Sequence, residues 1–99
     1  SLDTFEKIIH GPKPVLIDFF AEWCGPCKMM PPVLSQLKEQ MGDSIRIIKI
    51  DVDKNPKIAS EYQVRSVPTL MLLQKGKNVW KQSGVLDANS LHRQIKDQL

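Results

Sequence analysis

Three observations predict an α/β fold, with a central mixed sheet of four strands flanked by helices. Segments with helical apolar spacing alternate with short runs rich in β-branched residues. The run Val15-Leu16-Ile17-Asp18-Phe19-Phe20 is apolar on both faces, as in the middle of a parallel sheet. The last two strand-like runs are separated only by a short polar stretch containing glycine, which makes them a hairpin. With 99 residues, 41% of them hydrophobic, the chain can form one compact core and has no room for a second, so residues 1–99 are read as one domain.

Each element has its own signal. Asp3 or Thr4 is expected to cap a first helix that turns Leu2, Phe5, Ile8 and Ile9 towards the core and stops at Gly11-Pro12. Residues 15–20 form the central strand, in which Asp18 is the one polar residue to be explained. A second helix carries Met30, Leu34, Leu37 and Met41 on one face and ends at Gly42, with a kink at Pro31-Pro32 near its first turns. Residues 45–51 form a second strand, parallel to the first through that helix. Asn55 as N-cap and Pro56 at the first helical position start a short helix towards Tyr62. Residues 70–74 and 79–82 pair as an antiparallel hairpin across Lys75-Gly76-Lys77-Asn78. Asp87 caps a last helix with Ala88, Leu91, Ile95 and Leu99 on one face.

The chemistry is concentrated in Trp23-Cys24-Gly25-Pro26-Cys27, which holds both cysteines of the chain at the junction of strand and helix. Two thiols three positions apart at a helix start lie about one turn apart and can close into a disulfide. Free N–H groups and the positive end of the helix stabilise a thiolate on the first cysteine. Cys24, expected to have solvent access, is therefore the nucleophile and Cys27 the resolving thiol. A zinc site would need about four ligands, and only His10 and His92 are available besides, in no ligand-like spacing, so no metal is expected. A purely structural disulfide over so short a loop would add little stability. Asp18 has two readings. Desolvation in an apolar strand raises a carboxylate's pKa and suits it to accept a proton, whereas a strand-end carboxylate bonded to nearby backbone would be structural.

Composition narrows the function classes. The net charge of +3 comes from 14 Lys and Arg against 11 Asp and Glu scattered along the chain, a solvated surface rather than a nucleic-acid footprint. No apolar run approaches the roughly 20 residues of a membrane span, and residues 1–10 lack signal-peptide character. Two cysteines at this spacing fit a cytoplasmic redox protein better than a disulfide-stapled secreted one.

The chain resembles the thioredoxin family over nearly its whole length. The resemblance is carried by the run from Asp18 through Trp23-Cys24-Gly25-Pro26-Cys27 to Met29, by Pro32, by Asp51-Val52-Asp53-Lys54-Asn55-Pro56, by Val64-Arg65-Ser66-Val67-Pro68-Thr69, and by Gly76 and Gly84. It implies the thioredoxin fold and a dithiol–disulfide oxidoreductase that reduces protein disulfides through Cys24 and Cys27. It further implies proton transfer by Asp18 behind Cys27, with Lys49 near that carboxylate rather than only pointing to solvent. The Val67-Pro68 bond would be cis, although the residues alone argue for the usual trans form. Trp23, Gly25, Pro26, Val67, Pro68, Gly84 and Val85 would form a shallow substrate surface, where Trp23 by itself could equally be a core residue. The implied partners are protein disulfides and a flavin-dependent thioredoxin reductase drawing on NADPH; the protein would be monomeric and need no bound cofactor.

Some positions depart from the family. A further N-terminal strand, which would make five, is not evident, leaving residues 45–51 as an exposed sheet edge. Phe20 stands where many members have tryptophan, and Gln63 and Ser66 stand where glycines are common. Two other functions remain open at this point: an extracytoplasmic disulfide oxidase or isomerase, which the Gly25-Pro26 dipeptide disfavours, and a binding module that uses the same groove without turnover.

Overall fold

A strand that is apolar on both faces has to be covered on both, and that requirement sets the layering. The computed structural model describes residues 2–99, with the element order α1 (Leu2–Ile9), β1 (Val15–Phe20), α2 (Met30–Met41), β2 (Arg46–Asp51), α3 (Pro56–Glu61), β3 (Thr69–Gln74), β4 (Lys77–Ser83) and α4 (Ala88–Gln98). The sheet order is β2-β1-β3-β4; β1 is parallel to β2 and antiparallel to β3, and β3 is antiparallel to β4. Alternate residues of the two inner strands feed two cores. Val15, Ile17, Phe19, Met71 and Leu73 pack with Phe5 and Ile9 of α1 and Ile58 of α3. Leu16, Leu70 and Leu72 pack with Met30, Leu34 and Leu37 of α2 and Leu91 and Ile95 of α4.

The helices differ from expectation mostly at their ends. Helix α1 begins at Leu2, so Asp3 and Thr4 fall inside it rather than at its cap; Ser1 and the side chains of Leu2 and Asp3 lie outside the described residues. The segment after the cysteines is not one kinked helix. Pro26–Met29 forms a 3-10 turn and α2 starts afresh at Met30. Pro31 and Pro32 have no N–H to bond back to the preceding turn, so they are accommodated in the first turn of α2, where no donor is required. Asn55 precedes α3, but its side chain makes no cap bond and instead donates to the Asp51 carbonyl at 3.0 Å. Asp87 caps α4 as expected, accepting from the Ser90 N–H at 2.8 Å. Leu99 follows α4 and is exposed, unlike the buried Ala88, Leu91 and Ile95.

The hairpin is tighter than the sequence suggests. Its strands extend to leave only Lys75 and Gly76 between them, both at positive φ (49° and 82°), the backbone of a two-residue turn. Gln63 is also left-handed, with φ 55°, where glycine is usual in the family it resembles. Lys81 Nζ of β4 donates to the carbonyls of Tyr62 and Gln63, each at 2.9 Å, and holds that corner against the sheet.

Packing of the inner strands should dominate stability. Truncating the fully buried Leu72 to alanine is expected to cost about 2–5 kcal/mol. Urea unfolding would show this as a lower midpoint at unchanged slope; a loss below about 1 kcal/mol would mean that the α2–α4 face closes around the missing atoms.

Candidate active site

Parallel strands β1 and β2 end on the same side of the sheet, and their following loops meet there. Residues 21–25 leave β1, and the turn after β2 folds over them. Asp51, almost fully buried, organises that turn: its Oδ1 accepts the N–H groups of Asp53 at 2.9 Å and Lys54 at 3.3 Å. Asp53 is thereby aimed at Trp23, whose Nε1 donates to Asp53 Oδ2 at 2.8 Å. Trp23 is 72% exposed, which removes the core-packing reading of this residue. Lys54 and Glu22 pair at 3.3 Å on the same rim, both exposed and so of little energetic weight.

Cys24 and Cys27 are joined as a disulfide, with their Cα atoms 5.4 Å apart. Gly25 is the cap residue of the 3-10 turn, and Pro26 its first residue, so the first N–H inside the turn belongs to Cys27. It donates to Cys24 Sγ at 3.2 Å. Cys24 Sγ thus has one local donor, from inside a 3-10 turn rather than from the end of an α-helix. The expected solvent access of Cys24 is absent. Cys24 is 3% exposed and Cys27 6%, because Ala21, Phe20, Val52 and Val67 pack around the closed pair. Exposure does not distinguish the two sulfurs in this state.

The Val67-Pro68 bond is cis, and the loop brings the Val67 carbonyl oxygen to 3.6 Å from Cys24 Sγ. In the disulfide that sulfur carries no hydrogen; once reduced, its thiol has this carbonyl as an acceptor. Thr69 Oγ1 donates to the Ser66 carbonyl at 2.7 Å, and the Gly84 N–H donates to the Pro68 carbonyl at 2.9 Å, fixing the loop to the end of β4. Gly84 has φ 92°, a conformation that L side chains rarely adopt. Val85, half-buried, packs against the α2–α4 core.

Asp18 and Lys49 are register partners on β1 and β2. Asp18 is fully buried, and neither carboxylate oxygen has a hydrogen-bond partner among the described residues. Desolvation raises its pKa from 3.8 to about 6, against the Lys49 charge, which lowers it. The backbone-bonded reading of Asp18 is thus excluded within the described residues. Lys49 is exposed and lies over the Phe20 ring, 4.8 Å from its centroid, so it both faces solvent and acts on Asp18.

Sequence reasoning passed over Asp53, although it lies in a stretch already singled out, because nothing local ties it to an indole thirty positions earlier. It also passed over a hollow of about 120 Å³ beside Trp23, walled by Val52, Val64, Arg65, Ser66 and Val67. Among the described residues, no three of His, Cys, Asp and Glu gather closely enough to hold a metal ion, and no helix is long and apolar enough to cross a membrane.

Comparison with known proteins agrees with this geometry. Residues 1–97 match the sequence profile of the thioredoxin family. A thioredoxin-like protein of Synechocystis is 46% identical over 91 residues, covering 92% of this chain and 87% of that one. A thioredoxin of Alicyclobacillus acidocaldarius is 42% identical over 96 residues, covering 97% and 91%. The oxidised form of mitochondrial thioredoxin 3 from Saccharomyces cerevisiae superposes with a TM-score of 0.86 at 41% identity, covering 97% of this chain and 89% of that one. With its two cysteines closed into a disulfide at the end of the central strand, the chain belongs to the thioredoxin family of protein-disulfide oxidoreductases.

Proposed function

We propose that this protein is a general dithiol reductant of the cytoplasm, monomeric, in which Cys24 attacks and Cys27 resolves. The observation that carries the assignment is the Cys27 N–H aimed at Cys24 Sγ, a donor that stabilises negative charge on that sulfur alone. In the reduced protein the Cys24 thiolate attacks a substrate disulfide. One S–S bond breaks as a mixed disulfide forms, and the first substrate thiolate leaves and takes up a proton. Cys27 then loses its proton to Asp18 and attacks Cys24 Sγ, releasing the second substrate thiolate. The dithiol has given two electrons to the substrate and ends as the Cys24–Cys27 disulfide. Its reduction falls to a flavin-dependent thioredoxin reductase drawing on NADPH.

Asp18 suits the acceptor role because its pKa of about 6 leaves it ionised yet basic near neutrality, and because no hydrogen bond in the described structure competes for its lone pairs. Lys49 keeps that pKa from rising further. Trp23, held by Asp53, and the loop at Val67 and Pro68 frame the sulfurs, and an extended substrate segment would pair with the backbone before Pro68. Gly25, Pro26, Gly84 and Val85 complete that surface, lending it no charge.

Three outcomes check the reading. Cys24→Ser should abolish insulin reduction, whereas Cys27→Ser should accumulate mixed disulfides visible by mass spectrometry; faster alkylation of Cys27 than of Cys24 in the reduced protein would reverse the roles.

Asp18 links activity to stability. Its folded pKa lies above its unfolded one, so the native state binds the proton more tightly and stability falls as pH rises between the two values. The shift from 3.8 to about 6 corresponds to a cost of about 3 kcal/mol for the ionised carboxylate, absent below about pH 3 and fully present above about pH 7. Asp18→Asn should lose this pH dependence in denaturant unfolding of the oxidised protein, be the more stable form at neutral pH, and turn over more slowly. Unchanged turnover would leave Asp18 without a catalytic part.

Equilibration with glutathione buffers separates a reductant from an oxidase or isomerase. Gly25-Pro26 offers the Cys24 thiolate no charge and, at Pro26, no N–H. The couple should lie near the roughly −270 mV of thioredoxin itself, a value taken from the family, rather than about −120 to −180 mV, and Pro26→His should raise it.

A further inference from the structure

Lys81 and Ser83 of β4 hold the two ends of the loop that joins α3 to β3. The register places them on one face. Lys81 lies opposite Met71 and Ser83 opposite Thr69, and Met71 packs into the core shared with α1 and α3, so both side chains stand on the side of the sheet where α3 lies. Trp80 turns the other way, into the α2–α4 core.

At the start of the loop, the Lys81 ammonium donates to the Tyr62 and Gln63 carbonyls, each at 2.9 Å, where the chain leaves α3 through Gln63 at φ 55°. Lys81 is exposed, and a lone lysine on an edge strand usually does no more than discourage strand pairing. Here two of its donors are taken by the loop. At the far end, three hydroxyls form a one-way chain: Thr69 Oγ1 donates to the Ser66 carbonyl at 2.7 Å, which leaves Ser83 to donate to Thr69 and Ser66 to donate to Ser83, both at 3.3 Å. Gly84 follows with its N–H on the Pro68 carbonyl. Between these anchors the backbone is left open, for among the described residues the N–H groups of Arg65, Ser66 and Val67 make no hydrogen bond.

We propose that Lys81 and Ser83 are positioning residues for protein substrates: by clasping the loop at both ends they keep the open backbone of residues 65–67 in place for strand pairing. The proposal rests on the reductant reading above, and it adds what decides between protein and small-molecule disulfides. A segment already ordered loses less conformational freedom when a substrate strand pairs with it, so the clasp strengthens binding. The exchange step itself is not routed through it. Cys24, Cys27 and Asp18 make no hydrogen bond to Lys81 or Ser83, and a small disulfide has no backbone to pair. Of the two residues Lys81 carries more, because its two charge-assisted bonds are short, whereas the 3.3 Å hydroxyl contacts are long for O–H donors.

The test oxidises the reduced protein with insulin or with bis(2-hydroxyethyl) disulfide, a small neutral disulfide, and follows its free thiols by rapid-quench alkylation and mass spectrometry. Lys81→Met should raise the insulin concentration giving half the maximal rate about three- to tenfold, while the maximal rate and the rate with the small disulfide stay within about twofold of wild type. Ser83→Ala should shift the same quantity in the same direction by less, and it carries the test if Lys81→Met fails to fold. Lys81→Arg should restore most of the loss. Lys77→Met removes the same charge from the hairpin end of β4 and should match wild type. In the oxidised protein, the Val64 and Gly84 amides should exchange faster with solvent in Lys81→Met, with the Leu72 amide unchanged. The proposal is overturned if Lys81→Met matches wild type with insulin, if it slows both disulfides by the same factor, or if Lys77→Met has the same effect. It is equally overturned if Lys81→Arg behaves like Lys81→Met, or if exchange at Val64 and Gly84 does not change. A wild type that fails to reduce insulin would instead overturn the reductant reading, and this proposal with it.

Discussion

Strand β1 has to be buried on both faces, and nearly everything else in the molecule answers that demand. Its odd-numbered residues build one core with α1 and α3, and its neighbours β2 and β3 shield both of its edges. Its even-numbered Leu16 builds the other core with α2 and α4. Asp18 falls on that same even face, so a carboxylate is fully buried and no donor among the described residues compensates it. A fold selected for stability alone would place leucine or valine there. The cost is tolerable because the surrounding strand residues are fully buried, and it gives the site a group with a pKa of about 6.

The two buried carboxylates show how environment separates structure from chemistry. Asp51, two positions past Lys49 at the end of the parallel pairing of β1 with β2, accepts two backbone N–H bonds and spends its lone pairs shaping a turn. That turn orients Asp53, which in turn holds the exposed Trp23 ring. Asp18 has the same side chain and comparable burial but no such partners. One is consumed by architecture; the other stays available for a proton.

How much could be read from the sequence follows from the range of the interactions involved. The central strand, the parallel unit, the hairpin and the Asp87 cap rest on periodicity and on contacts a few residues apart, and they were legible from Val15-Leu16-Ile17, Lys75-Gly76 and Asp87-Ala88. The cysteine pair was legible for the same reason. The cis bond at Val67-Pro68 was not, since the residues alone favour trans and only the family resemblance reversed that preference. Element ends failed where a donor count decided them: Pro31 and Pro32 split the expected helix into a 3-10 turn and α2. Trp23 with Asp53, and Lys81 with Tyr62 and Gln63, bridge 30 and about 19 positions, beyond any local pattern.

That split has a consequence for the sulfurs. A thiolate favoured by the end of a long helix would feel a diffuse field, weakened by salt and falling off within a turn. In this chain the cysteine segment runs into α2 as a 3-10 turn, Pro26–Met29, and Pro26 removes one of the donors that a helix start would otherwise offer. Among the described residues, one N–H, that of Cys27, is in hydrogen-bond contact with Cys24 Sγ and buried with it. On the proposed mechanism, the preference for charge on Cys24 rests on this local contact. It depends on the backbone geometry of Gly25-Pro26-Cys27 far more than on the length or charge of the helix that follows.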